Sequence, residues 1–239
     1  MKFYRRIGQI KAISFDLDDT LYSNRPVMVA TEQAMLAYFK QHLSPLLSNP
    51  PAAFDRNFWR PFRHAAINDN VQLKHDVTAL RLDTYTRGIF ALCHDNIRAK
   101  QMAQQAFDFF MAKRSDFTVP ESSKALLAKL RTKMPVVAIS NGNVDTDAIG
   151  LTSYFDAIYH AGNGLAKKPH IDMFQAASNN INVPLKHILH VGDCGFADIT
   201  GALRAGMQTA WLSCYDVGRP IKTLPHIELT AVEQLEHII

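Results

Sequence analysis

Residues 12–20 read AISFDLDDT, a short run rich in apolar residues that ends in an acidic cluster. Similar runs occur at 136–140 (VVAIS), 188–192 (ILHVG) and 209–213 (TAWLS). Runs of this length and composition are typical of buried strands in a parallel sheet. Helical patterns lie between them at 122–133, 172–180 and 198–205, and Gly206 is placed to end the last one. The alternation predicts an α/β fold, with a Rossmann-like parallel sheet and helices on both of its faces.

Residues 24–117 have a different pattern. No strong strand run occurs there, and helical periodicities are present at 27–43, 78–92 and 99–112. Asp76 is a candidate N-cap for the second of these helices. We therefore predict a core formed by residues 1–23 and 118–239, with an all-helical domain, residues 24–117, inserted after the first core strand.

The bulk composition excludes several classes of protein. The 239 residues carry a net charge of +4, and no run of five or six Lys or Arg indicates a nucleic-acid surface. The three cysteines form no CxxC pair, which argues against a disulfide framework or a zinc site and fits a reducing compartment. No apolar run approaches the ~18 residues of a membrane span. We expect a cytoplasmic protein without nucleic-acid or membrane partners, while its oligomeric state stays open.

The polar residues that follow the predicted strands indicate chemistry at one edge of the sheet. Ligands of open parallel sheets bind at the carboxyl ends of the strands. Asp16 leaves the first strand there, and a carboxylate can accept a phosphoryl group. Asp18, two residues further on, lies on the same side of an extended chain and can give a proton to a leaving oxygen. A neighbouring carboxylate raises one pKa of such a pair, which favours a protonated acid.

A third carboxylate, Asp193, predicts a cation at the same edge. Two like charges ~4 Å apart cost ~4 kcal/mol at an effective dielectric near 20. Ligands that are all oxygen atoms favour Mg²⁺. Lys168 offers a fixed positive charge to a phosphate, Ser140 offers a hydroxyl, and the turn at Asn141 and Gly142 offers backbone N–H groups.

Four motifs carry a resemblance to a known family. DLDDT, SNG, KP and GDxxxxD occur in that order, and together they resemble the haloacid dehalogenase superfamily of phosphohydrolases. The insert at 24–117 is similar to the helical cap of that family. The resemblance implies that Asp16 is nucleophile and metal ligand, that Asp18 is general acid/base and binds metal through its backbone carbonyl, and that Asp193 binds metal. It also implies that the phosphoryl group is bound by Ser140, Asn141 and Lys168. The residues implied to support the metal site are Thr20 and Asp198.

Simpler structural roles compete for several of these positions. Asp198 is also a candidate N-cap of the helix that ends at Gly206, and Asp19 is a candidate for bonding within its own turn. His190, inside a strand, fits a core residue better than a catalyst. Cys194 stands where many relatives have an acidic or small polar residue, and a reactive role is not indicated. The aromatic residues of the insert indicate packing: Phe54, Phe58, Trp59 and Phe62.

Further segments narrow the resemblance to bacterial flavin mononucleotide (FMN) phosphatases, whose wider role is in riboflavin synthesis. They are FYRRIGQI, LYSNRPV, HDVT, ISNGN, ILHVGD, GALRAGMQTAW and LPHIELT. The resemblance implies FMN or 5-amino-6-(5-phospho-D-ribitylamino)uracil as substrate, with His75 of HDVT as a specificity candidate. Nucleoside monophosphates or sugar phosphates, and phosphomutase activity, stay open as alternatives. Asp18 argues against a metal-free dehalogenase, which has no second Asp.

Overall fold

The computed structural model describes residues 1–47, 50–214 and 222–239. The chain divides into two compact units. One unit joins Met1–Asn24 to Thr118–Ile239, and the other is Arg25–Phe117. No helix among the described residues is both long and apolar enough to cross a membrane.

One sheet forms the centre of the first unit. Its order is β1-β7-β6-β5-β2-β3-β4, and all neighbours are parallel except β1, which is antiparallel to β7. The parallel sheet predicted from the sequence is confirmed. The strands of the described residues are β1 (Lys2–Phe3), β2 (Ala12–Phe15), β3 (Val136–Ser140), β4 (Ala157–His160), β5 (Ile188–Gly192), β6 (Gln208–Leu212) and β7 (Ile227–Leu229).

Helices account for most of the remaining regular structure. The α-helices of the described residues are α1 (Asn24–His42), α2 (Arg56–Asp69), α3 (Val77–Cys93), α4 (Asn96–Arg114), α5 (Glu121–Arg131), α6 (Asp172–Asn180) and α7 (Gly201–Ala205). Short 3₁₀ turns lie at Ser44–Leu46, Val71–His75, Thr152–Tyr154, Leu185–His187 and Val232–His237, and a π-helical turn at Gly195–Thr200 leads into α7. Gly206 ends α7 in the left-handed conformation, with φ +86°, as its position in the sequence predicts.

The core strands are buried along their whole length. Every residue of β2, β3 and β5 is buried, which is the pattern of strands covered on both faces. On one face, Val137 and Ile139 of β3 pack with Met173 and Phe174 of α6. Burial on both faces explains why these strands read as continuous apolar runs in the sequence.

The order of the strands creates a switch point at the end of β2. The chain passes from β2 to β3 and β4 on one side, and then returns to β5 on the other side of β2. In the ladder, Phe15 at the end of β2 pairs with Ala138 of β3 and with Val191 of β5. Ligands of open α/β sheets bind at such a switch point. The residue that follows Phe15 is Asp16.

The second unit is a helical bundle with an aromatic core. The ring of Phe39 contacts those of Phe54, Trp59 and Tyr85, and packing is the role predicted for Phe54 and Trp59. Asp76 caps α3 by accepting a hydrogen bond from the Ala79 N–H at 2.8 Å, so its predicted N-cap role is confirmed.

Helix α2 was not predicted, and it contains Pro61, a residue type that normally interrupts a helix. An N-cap at Asp55 and packing against α3 stabilise helix α2. Asp55 accepts hydrogen bonds from the N–H groups of Asn57 and Phe58. A Cβ at Gly88 of α3 would lie 2.6 Å from Trp59, so glycine permits the close approach of α2 and α3.

Candidate active site

Asp16 lies directly after β2 and is 7% exposed. Its backbone N–H donates to Val191 O of β5 at 2.9 Å, so the residue is fixed to both central strands. Lys168 Nζ donates to Asp16 Oδ1 at 2.6 Å, and the Thr20 hydroxyl lies 3.4 Å from Oδ2. Burial raises the pKa of Asp16 to about 7, with Asp198 and Asp18 adding to the rise and Lys168 opposing it. The sequence led us to expect a raised pKa at the proposed acid Asp18, caused by its neighbour, whereas the raised pKa lies at Asp16 and burial is its main cause.

The turn after Asp16 directs two more carboxylates to different partners. Asp18 Oδ1 accepts a hydrogen bond from the Tyr22 hydroxyl at 2.8 Å. A Cβ at Gly142 would collide with Asp18 Oδ2, so only glycine lets the turn after β3 approach this carboxylate. Asp19 has φ +56° and accepts a hydrogen bond from the Asn24 N–H at 2.8 Å, which is the turn-bonding role that the sequence offered for it.

The turn after β3 holds the segment that carries Lys168. Asn141 Oδ1 accepts a hydrogen bond from the Lys168 N–H at 2.8 Å, and Asn141 Nδ2 donates to Lys168 O at 3.0 Å. The Gly142 N–H donates to Ser140 Oγ at 3.0 Å, so this oxygen is fixed while its own proton stays available for donation. Asn141 therefore positions the Lys168 backbone in this structure, a role that the sequence did not indicate.

Lys168 is the buried cation of the site. It is 2% exposed, and its Nζ lies 2.6 Å from Asp16 Oδ1, 2.7 Å from Asp198 Oδ1 and 2.5 Å from Ile139 O. An ammonium group has three hydrogens, and three acceptors surround this one. Burial lowers the pKa of Lys168, but Asp16 and Asp198 outweigh burial and hold the pKa above its ordinary value. Lys168 is therefore charged throughout the physiological range.

Asp198 is saturated with hydrogen-bond donors. It is 1% exposed, and besides Lys168 it accepts from the Cys194 N–H at 2.9 Å, while His190 Nε2 lies 3.2 Å from Oδ1. Burial opposes ionisation, but Lys168 and His190 outweigh it and hold the pKa of Asp198 below its ordinary value. Asp198 is not the N-cap of this turn, because that position belongs to Cys194, whose Sγ accepts from the Ala197 N–H at 3.4 Å.

Asp193 carries the least compensated charge of the site. It follows β5 and is half-buried, and its backbone carbonyl accepts a hydrogen bond from Trp211 Nε1 at 2.7 Å. Burial raises the pKa of Asp193 to about 9, and Asp198, Asp16 and Asp19 add to the rise. A carboxyl group with this pKa stands in a field that favours a cation.

The donor set fits a divalent metal ion. Asp16, Asp193 and Asp198 each offer a carboxylate oxygen, and these atoms lie within 4.8 Å of one another. The buried cation in contact with them, Lys168, is engaged by Asp16 and Asp198, which leaves the charge of Asp193 to be balanced. Oxygen ligands with this excess of negative charge suit Mg²⁺.

Most of the predicted residues meet at the carboxyl ends of β2, β3 and β5. Direct contacts join Asp16, Lys168 and Asp198, and Thr20 and Asn141 contact members of this group. His75 belongs to the helical unit, where it is half-buried at the end of the 3₁₀ turn Val71–His75. Ser14 and His190 were not predicted as part of the site. Both are polar residues inside buried strands, and that position is the one signal that the sequence contains for them.

The family of the chain follows from comparison with known proteins. Residues 10–206 match a model of the haloacid dehalogenase-like hydrolases. The chain belongs to this family. The resemblance inferred from the four motifs is therefore confirmed.

Three relatives show the range of activities among similar proteins. The chain is 36% identical to the 5-amino-6-(5-phospho-D-ribitylamino)uracil phosphatase YigB of Escherichia coli, over 100% of both chains. It is 24% identical to the human N-acylneuraminate-9-phosphatase, over 98% of this chain and 95% of the relative. A crystal structure of 2-haloacid dehalogenase from Pseudomonas syringae is similar with a TM-score of 0.87 and 27% identity, covering 96% of this chain and 98% of that one.

Proposed function

We propose that the protein is a Mg²⁺-dependent phosphomonoester hydrolase that works through an aspartyl-phosphate at Asp16. The observation that carries the proposal is the Asp16 carboxylate at the switch point of the sheet, in contact with the buried Lys168 and within a cluster of carboxylates that fits a divalent cation. Two relatives that match all or nearly all of the chain are phosphatases, which supports the same activity.

The proposed reaction has two steps at one phosphorus atom. In the first, an Asp16 carboxylate oxygen attacks the phosphorus, the bond from phosphorus to the alcohol oxygen breaks, and Asp18 gives its proton to that oxygen. In the second, Asp18 takes a proton from water, whose oxygen attacks the phosphorus, and the bond from phosphorus to the Asp16 oxygen breaks. Inorganic phosphate and the free Asp16 carboxylate result. The Ser140 hydroxyl supports the transferred group as a hydrogen-bond donor, and Lys168 supports it through its positive charge.

Asp16, Asp193 and the backbone carbonyl of Asp18 would hold Mg²⁺. The bound ion would neutralise negative charge on the phosphoryl oxygens. We assign Asp198 a supporting role, because three donors already occupy its oxygens. It fixes Lys168, and Thr20 contacts Asp16 from the other side.

As substrate we propose FMN or 5-amino-6-(5-phospho-D-ribitylamino)uracil. Both carry the phosphate on the primary alcohol of a ribityl chain. The identity to YigB over the full length of both chains supports this choice. Other small phosphate esters are the second candidate, because the N-acylneuraminate-9-phosphatase also matches nearly the whole chain. A cytoplasmic location is part of the same proposal.

Phosphate release from a panel of esters tests the proposal. Purified protein with Mg²⁺ is assayed on FMN, the ribitylaminouracil phosphate, N-acetylneuraminate 9-phosphate, a nucleoside monophosphate and a sugar phosphate. We expect release from the two ribityl phosphates and its loss when chelator removes the metal. Phosphate release that persists in excess chelator would contradict the metal-dependent mechanism.

A parallel assay addresses the dehalogenase named in the structural comparison. Chloride release from 2-chloropropionate is measured with and without Mg²⁺. We expect none, because Asp18 stands where a metal-free dehalogenase has no second Asp. Chloride release without phosphate release would replace our proposal with dehalogenation. Phosphoryl transfer to the hydroxyl group of a different carbon of the sugar, without net phosphate release, would indicate a phosphomutase.

Asp193→Asn should stabilise the metal-free protein at alkaline pH. The folded-state pKa values of Asp193 (about 9) and Asp16 (about 7) lie above the ordinary 3.8. The unfolded chain binds fewer protons than the folded chain between these values, so the free energy of unfolding falls as pH rises from about 4 to about 9. Asp193→Asn removes a group that must take up a proton on folding, so it should raise Tm in chelator near pH ~8, at about 2–4 °C per kcal/mol for a chain of this size.

Binding of Mg²⁺ should also stabilise the wild type, because the ion neutralises the carboxylates of the site. It should raise the Tm of the wild type more near pH ~8 than near pH ~5.5, where protons compete with the metal, and it should have little effect on Asp193→Asn. Asp147→Asn removes the same charge from an exposed position of the same unit and is the control. Equal Tm shifts for the two variants at every pH would exclude Asp193 as the uncompensated charge.

We propose that His75 helps to select the substrate, so His75→Ala should change substrate choice rather than chemistry. We expect kcat/KM for FMN to fall about 10-fold, the scale of one lost contact, with little change for a small ester such as glycerol phosphate. His64→Ala, at an exposed position of α2, is the control and should change neither value. An equal loss on both esters would mean that His75 has only a structural role.

A further inference from the structure

Two buried polar residues connect the strands that carry the site. Ser14 of β2 and His190 of β5 are direct partners in the parallel ladder, and both are 0% exposed. Ser14 Oγ lies 2.8 Å from His190 Nδ1. The pair lies two residues before Asp16 on one strand and three residues before Asp193 on the other. A serine and a histidine inside otherwise apolar strands call for a reason, since burying polar groups costs free energy unless they are hydrogen-bonded.

The other nitrogen of the ring leads to the reaction centre. His190 Nε2 lies 3.2 Å from Asp198 Oδ1, and the same oxygen lies 2.7 Å from Lys168 Nζ. Lys168 Nζ in turn lies 2.6 Å from Asp16 Oδ1. An unbroken line of contacts therefore runs from Ser14 through His190, Asp198 and Lys168 to the proposed nucleophile.

The chemistry of the groups fixes the direction of these hydrogen bonds. An ionised carboxylate only accepts, so the hydrogen between His190 and Asp198 belongs to Nε2. In the neutral ring Nδ1 then accepts, and its donor is the Ser14 hydroxyl. The ring of Phe174 packs edge-on against the imidazole, with centroids 5.1 Å apart at 85°, and restricts its rotation. The Asp198 carboxylate thus selects the tautomer, the Ser14 hydroxyl gives Nδ1 its donor, and the packing fixes the plane in which His190 donates.

We propose that Ser14 and His190 are positioning residues for the reaction at Asp16, which they serve by holding Asp198, and through it Lys168, in place. The inference rests on the proposed phosphatase function. Asp198 Oδ1 is shared between Lys168 and His190, so losing the imidazole donor leaves the carboxylate free to turn towards Lys168. The ammonium group then loses its fixed position beside Asp16. In metal sites, loss of the groups that hydrogen-bond to the direct ligands likewise lowers activity.

Four variants separate positioning from plain core packing. His190→Leu removes both hydrogen bonds, and His190→Gln restores an amide donor towards Asp198. Ser14→Ala removes only the hydrogen-bond donor to Nδ1. Thr209→Val is the matched control, because Thr209 is a fully buried residue of neighbouring β6 whose hydroxyl lies 3.2 Å from His226 Nδ1, outside the line of contacts.

Steady-state kinetics with FMN and Mg²⁺ give the first readout, with Tm as the measure of stability. We expect kcat to fall about 100-fold in His190→Leu and about 10-fold in Ser14→Ala, the range for lost supporting hydrogen bonds. KM should stay within about twofold, because the chemical step is affected rather than binding. His190→Gln should recover most of kcat. Thr209→Val should lower Tm and leave kcat unchanged.

Nitrogen-15 NMR of histidine-labelled protein gives a readout that needs no turnover. The His190 ring, assigned with His190→Gln, should carry its hydrogen on Nε2 in the wild type. Ser14→Ala should keep this tautomer and shift the Nδ1 resonance, because Nδ1 loses its hydrogen bond. A ring protonated on Nδ1 alone would overturn the inference. Unchanged kcat in His190→Leu and Ser14→Ala, at a Tm no lower than that of Thr209→Val, would overturn it as well. If the wild type hydrolyses no phosphate ester, the proposed function fails, and the NMR spectra alone decide the hydrogen-bond arrangement.

Discussion

Asp16→Asn should leave a folded protein that has lost all measurable phosphatase activity. An amide oxygen cannot form the acyl phosphate through which we propose that the reaction proceeds. We expect kcat to fall by at least about 10⁴-fold, the scale seen when a nucleophile is removed from a covalent mechanism. Asn keeps the size of the side chain and an oxygen that can accept from Lys168, so the core should keep its packing.

Two measurements check this expectation. Steady-state phosphate release gives the rate, and mass spectrometry of acid-quenched protein detects the phosphorylated peptide that contains residue 16. Asp19→Asn is the matched control: it makes the same change three residues away, where the side chain caps Asn24 and an amide can still accept. We expect a phosphopeptide in the wild type and in Asp19→Asn, and none in Asp16→Asn. Substantial turnover by Asp16→Asn would end the covalent hypothesis.

The strands that hold the site were predictable because burial on both faces leaves a clear pattern. β2, β3 and β5 are continuous apolar runs that stop where a polar residue enters the site. β1 and β7 have two and three residues, and β4 is only half-buried, so none of them produces such a run. The predicted strand at 209–213 lies one residue earlier, at Gln208–Leu212.

The turn that carries Asp198 could not be predicted correctly from local sequence patterns. The sequence places a helix start at Asp198, whereas the helical turn begins at Gly195. The reason is tertiary: the carboxylate of Asp198 is drawn back to the Cys194 N–H and to Lys168, and the chain forms a π-turn to bring it there. The partner of Asp198, Lys168, lies thirty residues earlier in the chain, so the sequence around Asp198 gives no indication of this contact.

Ser14 and His190 were not predicted as part of the site, because their contact depends on the register in which β2 and β5 pair. Ser14 and His190 face each other only because β2 and β5 pair in parallel with Ser14 opposite His190. Each run alone suggests a polar interruption in an apolar strand. The motifs predicted the residue types that the chemistry needs. The register of the paired strands determines which residues near those motifs contact each other.

Asp18→Asn should have an effect that depends on the leaving group. Asp18 is half-buried, with Oδ1 held by the Tyr22 hydroxyl and Oδ2 against Gly142. The ribityl oxygen of FMN leaves poorly without a proton, whereas nitrophenolate leaves readily. General acid catalysis is worth about 10²–10⁴-fold, so the first step with FMN should slow by that factor. The first step with nitrophenyl phosphate should slow much less.

The second step should slow for both esters, because both pass through the same aspartyl-phosphate and Asp18 no longer takes the proton from water. Rapid mixing of Asp18→Asn with nitrophenyl phosphate should therefore show a burst of nitrophenol followed by slow turnover. Tyr22→Phe is a useful companion, since it removes the hydrogen bond to Oδ1 and keeps the carboxyl group. We expect it to retain the wild-type dependence on the leaving group. If Asp18→Asn slows the first step of both esters equally, Asp18 acts on the metal or on positioning, and the proton to the leaving oxygen comes from elsewhere.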